Sequence, residues 1–450
     1  MEHESLVEEI KGSMSELNVP GVAVGIMHGE ETFTAGLGVT SVDHPLPVDD
    51  STLFQIGSIT KTFVGTLAMR LVETGKIELD APIRSYLPSF RVQDEGASEG
   101  ATMRHLLTHT AGWVGDWFPE DLGHGDDAVA RYVESMAETP QLTPLGEVLS
   151  YNNAGFNVAG RVFEAVLGKS FTEIIQEMIL DPLEMSHTYL LPWDVMTHRF
   201  AVGHSAEGDS PAVARPWSIG RASGPAGGIV TNVRDMLKYA RFHLGDGTLN
   251  GERILERESL RILHTPQVKY SPNNSVALTF WVDDRRDART MGHGGGTVGQ
   301  TSLLTIVPDR DFSIILVTNS GNGGQLNPRV TNWALEHYLG VETPEPKVIE
   351  MPEERLAEYE GGYGAALSAL DVEPGEGELV ISRRSLGGFP TRDVPPPKAE
   401  SPQPVRYGFY GEDDIVGLEA PSKGNLGQFL RGPDGSIAWL RLGLRIHRPL

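Results

Sequence analysis

The chain has no cysteine among its 450 residues. Disulfides, Cys-ligated zinc and a thiol nucleophile are therefore excluded, and covalent catalysis would have to use oxygen or nitrogen. Positive charge is scarce: 37 Lys plus Arg stand against 61 Asp plus Glu, for a formal net charge of −24. That field repels polyphosphate and anionic lipid, so nucleic acid and membrane surfaces are not expected partners. No run of 18 apolar residues occurs, and "MEHESLVEEIKGSM" lacks the basic and apolar regions of a signal peptide. A cytoplasmic protein is expected. Internal repeats and long low-complexity tracts are absent, and "DVPPPKAESPQP" reads as a loop. Gly-x-Ser-x-Gly is missing too, which argues against an α/β-hydrolase.

What is present divides the chain into stretches of different period. "VPGVAVGIMHGEETFTAGLGVTS" alternates around His28-Gly29 and predicts a hairpin of strands Val22 to Met27 and Glu31 to Leu37. Phe63, Val64, Leu67, Leu71 and Val72 recur at helical spacing and predict a helix from Thr60 to Val72, stopped at Gly75. Residues 80–290 read mostly as short helices and loops. Ser170 with Glu173, and Asn232 with Asp235, supply N-terminal caps there, and Gly245 after His243 supplies a C-terminal one. Strands return in "TSLLTIVPDRDFSIILVTN" and a helix closes in "NPRVTNWALEHYLG". Strands from both ends of residues 1–340 must then share one sheet. Residues 341–355 read as a Pro- and Glu-rich linker. Residues 356–450 carry short strand-like runs separated by Gly, Pro and Asp, as in a small barrel or sandwich.

Against this background one spacing stands out. Ser58 precedes Lys61 by three residues at the start of the predicted helix, in a chain with nine lysines. Residues i and i+3 share a helix face, so the amine lies near the hydroxyl. A serine is a weak nucleophile until a base takes its proton, and an apolar setting lowers a lysine's pKa towards that role. The helix N-terminus adds N–H groups that favour negative charge developing at an attacked carbonyl. Further along, "LSYNNAGFNVAG" contains Tyr151 and Asn153 before a helix, and "MGHGGGTVGQTS" places His293, Gly294 and Gly295 ahead of the returning strands.

In order, spacing and setting, Ser-x-x-Lys, Tyr-x-Asn and His-x-Gly resemble the three motifs of the serine β-lactamase and penicillin-binding-protein superfamily. His-x-Gly in place of Lys-Thr-Gly resembles the class C-like branch of D-aminopeptidases, alkaline D-peptidases and β-lactamase-fold esterases. "GKIELDAPIRSYLP", "TMRHLLTHTAG" and "GPAGGIVTNVRDM" are similar to that branch, and "LAEYEGGYG" resembles the start of the lipocalin-like β domain of some members. The resemblance implies an α+β, β-lactamase/transpeptidase-like domain over residues 1–340, with its helical subdomain at about 80–290, followed by a small all-β barrel-like domain over 356–450.

It further implies that Ser58 forms the acyl-enzyme and Lys61 accepts its proton. Tyr151 relays a proton to the leaving group, and Asn153 bonds the substrate's acyl amide or holds Lys61. The backbone N–H groups of Ser58 and Gly296 form the oxyanion hole, and His293, Gly295 and Gly296 line the substrate site. Lys61 and Tyr151 both remain candidates for the general base. Glycines 294–296 suit a strand edge that a substrate backbone approaches closely. Histidine at 293 is mostly neutral at pH 7, so carboxylate and β-lactam recognition should be weak.

The expected activity is hydrolysis of small esters, amides or short peptides without a cofactor or metal. A β-lactamase, an acyltransferase and a non-turnover sensor of the same fold are the alternatives. Self-association through the C-terminal domain is a further expectation. "GGGTVG" opens no helix and "LGKSF" lacks the first glycine of a P-loop, so neither reads as a nucleotide site. His105 and His109 are four apart but lack the Glu of His-Glu-x-x-His. Trp113, Trp117 and Phe118 read either as a cleft wall or as packing within their own domain.

Overall fold

Small and β-branched residues alternate in "GVAVGIMH" and build strand β1 (Gly21–His28), buried on both faces up to its exposed last residue. It pairs with β2 (Glu31–Gly38) as a hairpin, one residue longer at its ends than the alternation alone predicts. The computed structural model describes residues 2–205, 210–396 and 403–450; the middle of the loop read at Asp393 to Pro404 lies outside the described residues. Two units separate by internal contact: residues 1–108, 122–138 and 155–343, and residues 109–121, 139–154 and 344–450.

In the first unit the sheet is completed by β3 (Val268–Ser271), β4 (Asn274–Val276), β5 (Trp281–Asp283), β6 (Thr290–Gly296), β7 (Thr301–Val307) and β8 (Phe312–Thr318). The order is β2-β1-β8-β7-β6-β5-β4-β3, with every pairing antiparallel. Strands from both ends of the unit thus share one sheet, as expected. Strands β3 to β5 fall in the stretch read as helices and loops. They are three or four residues long and carry Asn, Lys and Ser, so no alternation has room to develop.

Helices α1 (Glu2–Glu16), α2 (Thr60–Glu73), α3 (Asn153–Leu167), α4 (Gly224–Gly227), α5 (Val233–Leu244), α6 (Arg257–His264) and α7 (Gly323–Leu339) follow in chain order. Leu6 and Ile10 of α1 and Leu326, Val330 and Ala334 of α7 pack on Val22, Val24, Ile26, Ile314 and Leu316 of the sheet. Each of these Leu, Ile and Val side chains contributes about 1.5–3 kcal/mol by leaving water, and Ala334 less. On the opposite face a Cβ at Gly25 would meet Leu237 of α5 at 3.2 Å, so the missing side chain sets how closely that helix lies. Asn232 caps α5 by accepting the Asp235 N–H at 2.9 Å, and Gly245 ends it. Helix α7 starts four residues before the predicted Asn327, because its first turn is glycine-rich and carries no periodic signal. No helix of the described residues is long and apolar enough to cross a membrane.

The second unit centres on a closed antiparallel barrel of β9 (Gly361–Gly364), β10 (Ser368–Pro374), β11 (Leu379–Ser385), β12 (Pro404–Phe409), β13 (Asp414–Gly417), β14 (Leu426–Arg431), β15 (Ile437–Leu442) and β16 (Arg445–Pro449). Tyr363 opposite Pro449 and Gly364 opposite Arg448 close it. Leu356, Tyr359, Leu370, Phe409, Phe429 and Leu440 belong to its core.

Two histidines withdrawn from water should make the fold sensitive to acid. His243 Nδ1 lies 3.0 Å from His264 Nε2. Burial pushes His264 down to about 4, and it pushes His243 well below the ordinary 6.5, helped by His264. An unfolded chain protonates these rings below 6.5 while the native state resists, so the native state is relatively destabilised as pH falls from 6.5 towards 4. The thermal midpoint should be level above that window and fall steadily within it. Calorimetry showing a flat midpoint down to the lower value would contradict this.

Candidate active site

The turn ahead of α2 is built by a glycine. Gly57 has φ +50°, and a Cβ there would lie 2.7 Å from the Gly296 backbone nitrogen, so another residue would collide with β6. Ser58 therefore sits on a 3-10 turn, Gly57–Ile59, before α2 begins at Thr60. Lys61 is fully buried, with Nζ 2.9 Å from Ser58 Oγ and 2.6 Å from the Ala226 carbonyl of α4. The Phe156 ring centre is 5.3 Å from the same nitrogen. The hydroxyl thus lies within reach of an amine withdrawn from water, the arrangement that i, i+3 spacing predicts.

Several polar groups that the motifs do not include hold this turn. Ile56 N–H donates to the Ile229 carbonyl at 3.1 Å, and Ile229 N–H donates to Thr60 Oγ1 at 3.1 Å. Ser302 of β7 donates to the Ile56 carbonyl at 2.8 Å, and the buried Gln300 accepts the Gln55 N–H at 3.1 Å. These partners lie some 170 to 250 positions away in the chain, and nothing local in the sequence marks them.

Strand β6 brings His293, Gly295 and Gly296 beside the same turn. A Cβ on Gly295 would lie 1.9 Å from the Ile56 carbonyl oxygen, whereas one on Gly296 would meet nothing within 4 Å. The glycine run therefore has an internal purpose at 295, where it admits the backbone of the turn that carries Ser58, and an open face at 296. His293 is buried and bonds through Nδ1 to the Gly294 carbonyl, which fixes the proton on that nitrogen. Burial, with the Lys61 charge nearby, pushes its pKa down to about 3 against the opposing carbonyl bond. The ring is neutral throughout the physiological range, as expected from sequence.

Tyr151 and Asn153 belong to the second unit, on the segment leading into α3. Gly115 shapes their cradle: its carbonyl accepts the N–H groups of Asn153 and Ala154, and a Cβ there would lie 2.4 Å from the Tyr151 carbonyl. His109 stacks on the Tyr151 ring at 4.6 Å and accepts the Asn152 N–H through Nδ1. Asn153 Nδ2 donates to Asp116 Oδ1 at 2.7 Å. In the aromatic loop Trp113 is buried, and Phe118 packs edge-on against Phe389 of its own unit at 5.0 Å. Trp117 faces the Arg392 guanidinium at 5.6 Å. His105 accepts the Thr102 N–H as a helix cap.

Residues 6–338 match the model of the Beta-lactamase family. Penicillin-binding protein 4 of Amycolatopsis lactamdurans is 30% identical over 377 residues, which cover 80% of this chain and 99% of that protein. The crystal structure of SurE is similar over 100% of this chain and 99% of its own, with a TM-score of 0.76 and 25% identity. An octameric penicillin-binding protein homologue from Pyrococcus abyssi shares the fold over 96% of this chain and 97% of its own, with a TM-score of 0.66 and 22% identity.

Proposed function

The chain belongs to the beta-lactamase family, and from that premise we propose that it hydrolyses small esters, amides or short peptides through an acyl-enzyme on Ser58. The observation that carries the reading is the buried Lys61 amine 2.9 Å from Ser58 Oγ. In this mechanism the Ser58 oxygen attacks the substrate carbonyl while its proton passes to the amine, directly or by way of Tyr151. Acceptance of that proton requires the amine in its neutral form. The N–H groups of Ser58 and Gly296 receive the oxyanion, and the open face at Gly296 leaves room for the substrate there. Tyr151 protonates the departing alcohol or amine, Asn153 bonds the acyl portion, and water then releases the acid.

A neutral imidazole at 293 supplies no cation for a substrate carboxylate, which favours uncharged esters and amides over penicillins. The relative named a penicillin-binding protein supports a second reading, in which β-lactams acylate Ser58 and are released slowly. A panel of p-nitrophenyl esters, D- and L-amino-acid anilides and a chromogenic cephalosporin, run beside Ser58→Ala, tests both. Steady turnover of an ester or anilide, lost by about 10³-fold or more in the variant, is expected. Equal rates in wild type and variant would refute the Ser58 assignment. A cephalosporin burst without steady turnover would favour the second reading.

A further inference from the structure

The last hairpin of the barrel is bent around the Tyr-x-Asn segment within the second unit. Gly443 and Leu444 join β15 to β16 with φ of +57° and +65°. A tight hairpin asks for two left-handed residues, yet leucine adopts that conformation reluctantly, so surrounding contacts must hold it there. One such contact is the Leu444 carbonyl, which accepts the Tyr151 N–H at 2.7 Å. The next residue, Arg445, places its guanidinium carbon 4.8 Å from the Tyr151 ring centre. Its Nε and Nη2 fork onto Asp116 at 2.5 and 3.1 Å. Asp116 is the carboxylate that also accepts from Asn153 Nδ2. Ile446 N–H donates to Ser150 Oγ at 3.3 Å, and Arg441 donates to the Leu149 carbonyl at 3.2 Å. Leu149, Ser150, Tyr151 and Asn153 are therefore each held, directly or through Asp116, by residues 441–446.

We propose that Arg445 is a positioning residue for the Tyr-x-Asn motif, fixing the Tyr151 ring and the Asn153 amide in the orientation that proton transfer and acyl binding require. The inference rests on the reading of Tyr151 as the proton relay. A planar guanidinium suits the task because one edge forks onto a carboxylate while its charge lies against an aromatic ring, which an ammonium cannot do at once. The charge is well kept: burial opposes it, but Asp116 and then Tyr151 raise the Arg445 pKa above its ordinary value. On that reading the barrel's final hairpin positions the proton-relay residue of its own unit.

Steady-state kinetics of full-length Arg445→Ala on a p-nitrophenyl ester tests this. A drop in kcat of about 10²-fold with KM within about threefold is expected, as for a misplaced reacting group. Millimolar methylguanidinium, but not sodium chloride at equal ionic strength, should restore part of kcat. Arg445→Lys, which keeps the charge and loses the fork, should fall in between, and Asp116→Asn should lower kcat in the same direction. Should Arg445→Ala fail to fold, the Lys and Asn variants carry the test alone. Unchanged kcat in the folded variants, or a loss confined to KM, which would mark Arg445 as a substrate contact, would overturn the proposal. Loss of kcat without guanidinium rescue would overturn it too. If wild type itself gives no Ser58-dependent turnover, the proposed function fails instead, so the two failures are distinguishable.

Discussion

Replacing Lys61 by methionine is expected to lower kcat/KM for an activated ester by about 10²–10⁴-fold, the usual contribution of a positioned base. Methionine fills nearly the same space, so the buried site near Phe156 stays packed while the nitrogen 2.9 Å from Ser58 Oγ disappears. The Ala226 carbonyl loses its 2.6 Å partner as well, which costs some stability and should appear as a lower thermal midpoint. If the lysine were a structural plug, midpoint and rate would fall together only slightly. A large loss of rate in a protein that remains folded at the assay temperature separates the two roles. Retention of more than about a tenth of wild-type kcat/KM would contradict the assignment of Lys61 as the base.

Gly295→Ala carries the second large expected effect. One added methyl would lie 1.9 Å from the Ile56 carbonyl oxygen and 2.4 Å from Ser302 Oγ, so either β6 or the turn bearing Ser58 must move. Overpacking of this kind costs about 1–3 kcal/mol, and displacement of a nucleophile by about 1 Å costs about 10²-fold in rate. The informative control is Gly296→Ala, where the new methyl meets nothing within 4 Å. It should leave the thermal midpoint unchanged and act on substrate access alone. Equal midpoints and equal activities for the two variants would show that the glycine edge does not seat the nucleophile.

The parts of the fold that sequence revealed are those whose signal is local. Strands β1 and β2 alternate over eight residues, α2 repeats its apolar face over four turns, and Ser58 and Lys61 are three positions apart. Each feature is complete within one element. The parts that stayed hidden depend on partners far away in the chain. Strands β3 to β5 are too short to show a period and exist because β6 offers an edge. Ser302 holds the turn that bears Ser58 from 246 positions away, and Arg445 reaches Asp116 across 329. No window of sequence contains both ends of such a contact. Gly295 falls between these cases: the glycine run was visible, but its collision with Ile56 emerges only when β6 and the turn before α2 are brought together. The barrel was legible as a set of short strands, whereas "IAWLRLGLRIHRP" reads as a single run and conceals the turn at Gly443 and Leu444 between two strands.

The central claim is that a single hydroxyl forms the covalent intermediate. Mass spectrometry of the intact, folded protein after brief exposure to a fluorophosphonate, followed by peptide mapping, addresses it most directly. One adduct, on Ser58, slowed in Lys61→Met and absent in Ser58→Ala, is the predicted result. A folded wild-type protein that remains unmodified at Ser58, or is labelled at another serine, would contradict it.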